Sequence, residues 1–119
     1  MSKKTIWITG GSTGIGKALA IKFASKGWNV AVSARREELL NELSNTYENI
    51  SAFPLDVTDK LKCEEVFNQI KNKFQDIDIC FFSTGTWNPK KEKDIDIEQM
   101  EDVFKINFFG TVNTIKAVE

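Results

Sequence analysis

Apolar residues follow two alternating spacings along this chain. Short runs of β-branched and other apolar residues stand between longer segments in which apolar positions recur every three or four residues. The first spacing is typical of buried strands and the second of amphipathic helices. The predicted strands cover residues 5–8, 28–34, 50–55 and 77–82. The predicted helices cover residues 15–26 and 37–45, a third segment whose apolar positions recur between residues 61 and 74, and the chain after residue 96.

The predicted helix ends carry residues that favour capping. Gly27 follows the first helix and suits a left-handed C-terminal cap. Thr58 or Asp59 can accept the first N–H groups of the third helix. Asp96, with Gln99 three residues later, has the spacing of a capping box for the last helix.

The order of the elements predicts the class of fold. Strands that alternate with helices form a parallel sheet through right-handed crossovers. We therefore expect an α/β fold, a Rossmann-like doubly wound sheet of four strands in the order 3-2-1-4, as in a dinucleotide-binding half. The 119 residues are enough for one domain.

The fourth strand suggests that this domain is incomplete. In the order 3-2-1-4 it lies at an edge, yet residues 79–82 are apolar on both faces and carry no charge or proline. An apolar edge of this kind needs a neighbour. We expect residues 1–119 to be part of a larger domain, and to be marginally stable or self-associating if made alone.

Glycines are concentrated between the first strand and the first helix. Four of the seven glycines lie in the segment Thr9-Gly10-Gly11-Ser12-Thr13-Gly14-Ile15-Gly16. A turn without side chains lets phosphates approach the backbone, and the helix that follows presents unpaired N–H groups and the positive end of its dipole. An ordinary tight turn needs only one or two glycines, so the cluster predicts a phosphate-binding turn.

Two kinds of phosphate-binding turn fit these glycines. Gly11 to Lys17 matches G-x-x-x-x-G-K, the nucleoside-triphosphate loop, but Ala18 stands where that loop needs a hydroxyl for magnesium. The pattern T-G-x-x-x-G-I-G matches at every fixed position and resembles the cofactor loop of the short-chain dehydrogenase/reductase family. This resemblance implies that the cofactor is bound by Gly10, Ser12, Thr13, Gly14, Ile15 and Gly16.

The end of the second strand bears on the choice of cofactor. Dinucleotide folds place an acidic residue about 20 positions beyond the glycines to bind the ribose hydroxyls, or an arginine to accommodate a 2′-phosphate. Here Ala34 is followed by Arg35 and Arg36. We expect NADP(H) rather than NAD(H), with at least one guanidinium on the phosphate. The alternative is that both arginines only solvate the start of the second helix.

Two further segments extend the resemblance. Asp56 and Val57 match the pair that reaches the adenine ring in this family, although Asp56 also suits a turn or a cap. Ser83, Thr84 and Gly85 stand where the family carries N-A-G after its fourth strand, and the resemblance places them beside the cofactor. Only Gly85 matches that motif, which weakens the expectation of asparagine-based bracing of the sheet.

Catalytic residues are sparse in these 119 residues. Asn107 resembles the family's helix asparagine, which holds a water in the proton relay; a polar residue at a helix contact is the alternative. The family's serine and Y-x-x-x-K are absent, since Tyr47 is followed four positions later by Ser51. The resemblance therefore implies the cofactor-binding part of an oxidoreductase acting on a carbonyl/alcohol substrate, with a non-catalytic dinucleotide-binding module as the alternative.

Charge and composition exclude other classes of function. The net charge of −1 indicates neither nucleic-acid nor anionic-membrane binding. No apolar run approaches the roughly 20 residues that span a bilayer, and no signal-peptide core follows the polar start, so we expect a cytoplasmic protein. Without histidine or metal-ligand spacing, Cys63 and Cys80 are expected to be buried thiols rather than metal ligands. The resemblance implies a homo-oligomer formed through the last helix.

Overall fold

The computed structural model of the protein describes residues 3–12 and 14–82. Strands and helices alternate through this part of the chain, as the apolar spacing predicts. In order, the elements are β1 (Thr5–Thr9), α1 (Gly14–Ser25), β2 (Asn29–Ser33), α2 (Glu37–Thr46), β3 (Ile50–Ala52), α3 (Lys60–Phe74) and β4 (Ile79–Phe82). The third strand is three residues shorter than predicted: β3 ends at Ala52, two residues before Pro54. The predicted last helix and its capping box at Asp96 lie outside the described residues.

The four strands form one parallel sheet in the order β3-β2-β1-β4. β1 is central and pairs with β2 from Thr5↔Asn29 to Thr9↔Ser33, and with β4 from Ile6↔Ile79 to Thr9↔Phe82. The predicted strand order is therefore confirmed.

The two faces of the sheet are covered by different helices. Side chains of successive strand residues point to opposite faces, so β1 and β2 each contribute to two cores. Ile6, Ile8, Val30 and Val32 pack with Ala20 and Ala24 of α1 and with Leu40 and Leu43 of α2. Trp7 and Ala31 pack on the other face with Cys63, Val66 and Ile70 of α3. Helices on both faces confirm the doubly wound α/β class.

The end of α1 is a Schellman motif. Gly27 has φ of 84°, and its N–H donates to the Ala24 carbonyl at 3.0 Å. The Trp28 N–H donates to the Phe23 carbonyl at 3.2 Å, and the two aromatic rings meet at 78° with centroids 4.9 Å apart. This is the hydrogen-bond pair and hydrophobic contact that define the motif. The predicted left-handed cap at Gly27 is confirmed.

The start of α3 shows which residue caps the helix and which of its predicted apolar positions is exposed. Asp59 is the N-cap, and its carboxylate accepts the Lys62 N–H at 3.1 Å. Leu61 belongs to the apolar pattern from which the helix is predicted, but its side chain is 76% exposed. The buried stripe of α3 is Cys63, Val66 and Ile70. Leu61 precedes Cys63 by two residues, about 200° around the helix, and therefore lies on the opposite side.

Neither of the two cysteines forms a disulfide. Cys63 is buried, as expected, whereas Cys80 of β4 is only half-buried. Burial nevertheless raises the pKa of the Cys80 thiol, because desolvation disfavours the thiolate. At neutral pH this thiol stays protonated and is a poor nucleophile.

Within the described residues, no helix combines the length and apolar content that a membrane span requires.

Replacing Gly27 tests the Schellman motif. An added Cβ would meet no atom within 4 Å, so the cost of Gly27→Ala comes from the positive φ alone. We expect the free energy of unfolding to fall by about 1–2 kcal/mol, measured by urea titration. Gly27→Asn is the control and should cost less, because asparagine tolerates the left-handed region. Equal losses for the two variants would contradict this account.

Candidate functional site

The candidate site lies at the carboxyl edge of the sheet. All four strands are parallel, so the residues that follow β1, β2, β3 and β4 meet at this edge. The chain leaves β1 for the face covered by α1, whereas it reaches β4 from the face covered by α3. In open α/β sheets the crevice at such a change of face is where ligands bind.

The glycine turn is the segment of residues 10–14 that joins β1 to α1. Its first two residues are hydrogen-bonded to β2. Gly10 has φ of 74°, a conformation that favours glycine. The N–H groups of Gly10 and Gly11 both donate to the Ser33 carbonyl oxygen, at 2.7 and 3.3 Å. These two donors therefore point toward the sheet, and the donors for an anion must come from the start of α1.

Gly11 is required by packing. A Cβ at this position would lie 3.0 Å from both Cβ and Cγ1 of Val32, which is closer than side chains normally approach. The turn thus packs against the end of β2 with no room for a side chain.

Gly14 faces open space at the amino end of α1. It has φ of 60°, and an added Cβ would meet no atom of the described residues within 4 Å. The N–H groups of the first helical turn have no partners within the helix, and this turn contains no acidic residue that would compensate them. Lys17 is exposed one turn into the helix and adds positive charge. These features fit a bound diphosphate.

The neighbouring residues leave room for a ligand. Ile15 is 72% exposed, an unusual position for a large apolar side chain. Ser12 is half-buried, and Gly16 is buried in α1. Among the described residues at the amino end of α1, Ile15 is therefore an exposed apolar side chain beside the open position at Gly14.

The two arginines lie just beyond β2. Both Arg35 and Arg36 are exposed, and neither guanidinium has a hydrogen bond or an ion pair to another described residue. Arg36 is the N-cap of α2 but supplies no side-chain cap. Ala34 precedes them, and its carbonyl accepts the Leu55 N–H at 3.0 Å, which joins this segment to the chain that leaves β3. The structure thus places two exposed arginines at the carboxyl edge, neither of them paired within the described part of the chain.

Asp56 shapes the turn that leads into α3. Its Oδ1 accepts the Thr58 N–H at 3.0 Å and the Thr58 hydroxyl at 2.7 Å. The Asp56 carbonyl also accepts the Asp59 N–H at 2.9 Å. The turn role, one of the two alternatives for this residue, is therefore present. Val57 is buried, and its carbonyl accepts a weak bond from the Cys63 thiol at 3.6 Å.

Five sequence-predicted site residues lie outside the described part of the chain. They are Thr13, Ser83, Thr84, Gly85 and Asn107. The described candidates fall into two groups that the fold brings to one edge. The first is the turn with the start of α1, and the second is the pair of segments that follow β2 and β3.

Sequence reasoning missed the part played by Ser33 and Trp7. Ser33 anchors the glycine turn through its carbonyl, and its hydroxyl accepts a hydrogen bond from Trp7 Nε1 at 2.9 Å. Both side chains are essentially unexposed. One feature of the sequence could have indicated this contact. Ser33 is a hydroxyl residue at the end of the predicted second strand, and the predicted first strand contains Trp7.

Comparison with known proteins identifies the family. A family model described as short chain dehydrogenase matches residues 4–119. The chain belongs to the short-chain dehydrogenase family. An uncharacterized oxidoreductase of Staphylococcus aureus (strain MW2) is 27% identical over 119 residues, which cover 98% of this chain and 52% of that protein.

Solved structures of the family superpose on this short-chain dehydrogenase chain. ElxO with NADP bound has a TM-score of 0.85 and 30% identity, over 98% of this chain and 49% of ElxO. A short-chain dehydrogenase from Bacillus anthracis has a TM-score of 0.89 and 28% identity, over 97% of this chain and 49% of its own. The chain therefore spans about half the length of the relatives it matches.

A double-variant cycle tests the close packing of the glycine turn. Gly11→Ala should lower the free energy of unfolding by about 1–3 kcal/mol, because its Cβ overlaps Val32. Val32→Ala removes the overlapping Cγ1 atom, so the double variant should be less destabilised than the sum of the two single variants, by at least about 0.5 kcal/mol. Urea unfolding measures all four proteins. Val32→Ala keeps the Val32 Cβ, so strict additivity would show that the contact with Val32 Cγ1 does not limit this position.

Proposed function

We propose that this chain binds NADP(H) at the carboxyl edge of its sheet, as the cofactor-binding part of an oxidoreductase. The reaction is hydride transfer between the nicotinamide and a carbonyl/alcohol substrate. The observation that carries the proposal is the open, acid-free amino end of α1 behind a turn that contains no side chain at Gly10, Gly11 or Gly14. Membership of the short-chain dehydrogenase family supports it.

The described residues would hold the adenosine and diphosphate portion of the cofactor. The diphosphate would lie against the first turn of α1, where the N–H groups of Gly14, Ile15 and Gly16 have no helical partners. When bound, the nicotinamide would supply the hydride chemistry. The chain itself would bind the diphosphate through the N–H groups at the amino end of α1. No carboxylate in this first turn would compete with the diphosphate for these N–H groups.

The preference for NADP(H) over NAD(H) depends on the residues after β2. Ala34 provides no carboxylate to bind a 2′-hydroxyl or to repel a 2′-phosphate. Arg35 and Arg36 follow it, exposed and without partners among the described residues. The structurally similar ElxO binds NADP, which supports the same class of cofactor for this chain.

The remaining sequence-predicted roles form part of the same proposal. Asp56 and Val57 would lie beside the adenine, where the chain after β3 is hydrogen-bonded to Ala34. Thr13, Ser83, Thr84 and Gly85 would complete the cofactor site, and Asn107 would hold the proton-relay water. We also propose a cytoplasmic location, from the lack of an apolar span and of a signal-peptide core in the sequence, and homo-oligomerisation through the last predicted helix, which the resemblance implies.

Arg35→Ala tests the choice of cofactor. A charge-assisted contact contributes about 1.5–3 kcal/mol, so its loss should weaken NADPH binding by roughly 10- to 150-fold and leave NADH binding nearly unchanged. Nucleotide fluorescence or calorimetry measures both dissociation constants. Lys26→Ala is the matched control, because it removes an exposed cation from the opposite edge of the sheet. Equal losses for NADPH and NADH would refute the 2′-phosphate assignment.

Turnover separates the enzyme from a non-catalytic module. We expect the intact protein to bind NADPH and to oxidise it in the presence of a carbonyl compound. The loss of nicotinamide absorbance measures this oxidation. A panel of short aldehydes and ketones is a suitable first screen. Tight binding of NADPH with no oxidation by any carbonyl would favour the dinucleotide-binding module. Magnesium-dependent hydrolysis of ATP without dinucleotide binding would point instead to the triphosphate loop.

A further inference from the structure

A buried hydrogen bond between two side chains involves Ser33, whose carbonyl accepts the first two amides of the glycine turn. Trp7 Nε1 donates to Ser33 Oγ at 2.9 Å, and the side chains are 0% and 1% exposed. Trp7 belongs to the central strand and Ser33 is the last residue of β2, so the bond crosses between strands near their carboxyl ends. Neither residue is part of the proposed cofactor contacts.

Ser33 connects this bond to the turn. Its carbonyl oxygen accepts the N–H groups of both Gly10 and Gly11. The same residue therefore binds the indole through its side chain and the turn through its backbone. A rotation of the Ser33 peptide would move both glycine amides and, with them, the entry of the chain into α1.

The indole of Trp7 is itself fixed from two sides. Phe67 of α3 lies against it with ring centroids 6.2 Å apart, and Phe82 of β4 meets it edge-on at 89° with centroids 6.4 Å apart. Aromatic contacts of this geometry hold a ring in one orientation. The indole N–H is consequently a rigid donor, held by a helix and by a second strand of the sheet.

We propose that Ser33, held by Trp7, is the positioning residue for the diphosphate-binding turn. The inference rests on the proposed binding of a dinucleotide at this edge. The Trp7–Ser33 bond links α3 and β4 to Gly10 and Gly11, so that the open amino end of α1 is aligned before a ligand arrives. A preformed site of this kind improves affinity because less ordering is required on binding.

Two single variants and their combination test the proposal in the intact protein. Ser33→Ala removes the acceptor hydroxyl, and Trp7→Phe removes the donor while keeping an aromatic ring. We expect each to weaken NADPH and NADH by the same factor, roughly five- to tenfold. The double variant should bind no more weakly than the weaker single variant, because both changes remove one hydrogen bond. Measurement at low temperature, where each variant is verified as folded by circular dichroism, separates affinity from stability.

Amide hydrogen exchange gives a second readout that needs no ligand. In Ser33→Ala, the milder of the two changes, the Gly10 and Gly11 amides should exchange roughly tenfold faster relative to the Val30 amide of the same sheet. Thr5→Val is the matched control. It removes a buried hydroxyl that accepts from Asn29 at 3.4 Å at the opposite end of the same two strands, and it should change neither the turn amides nor the affinities.

The outcomes distinguish this inference from the proposed function. Affinities within twofold of the unmodified protein in both single variants, or turn amides that exchange no faster, would overturn the positioning role. Losses limited to NADPH would also overturn it, because they would indicate an effect on the 2′-phosphate. An unmodified protein that binds neither nucleotide would overturn the proposed function, and with it the role assigned to Ser33.

Discussion

The parallel pairing of β1 with β2 is the constraint from which the rest of the site follows. Thr9 pairs with Ser33 at the carboxyl end, and the next two amides of the chain continue the pairing by donating to the Ser33 carbonyl. The chain can continue this pairing and still turn into α1 only where side chains are absent, because a Cβ at Gly11 would overlap Val32. The amino end of α1 is thereby held over the edge of the sheet, facing open space.

This arrangement gives the glycines different roles. Gly10 adopts a positive φ so that the turn can form, Gly11 allows close packing, and Gly14 leaves space above the helix. Among the described residues, a Cβ at Gly11 would overlap Val32, whereas a Cβ at Gly14 would meet no atom within 4 Å. The family's glycine pattern thus combines a requirement of folding with a requirement of binding, and a single substitution affects one or the other according to its position.

Charge is distributed at the carboxyl edge in a way that suits an anionic ligand. The first turn of α1 lacks an acidic residue, whereas the first turn of α2 contains Glu37 and Glu38 directly after the two arginines. The positive end of the α1 dipole, which faces the proposed diphosphate, therefore has no carboxylate in the first turn of its own helix. The positive end of the α2 dipole is compensated by its own two glutamates. Arg35 and Arg36 follow β2 at this edge, exposed and without a hydrogen bond or ion pair among the described residues.

The type and order of the elements, the parallel sheet and the α1 cap at Gly27 were determined by the sequence itself, because apolar spacing and glycine position act locally. The family could also be recognised from the T-G-x-x-x-G-I-G pattern, whose spacing carries its own mechanism. Only the tertiary structure decided that Leu61 faces outward and that Ser33 and Trp7 anchor the glycine turn. Each of these depends on contacts between residues from different elements, and such contacts exist only after the sheet has brought β1, β2 and α3 together.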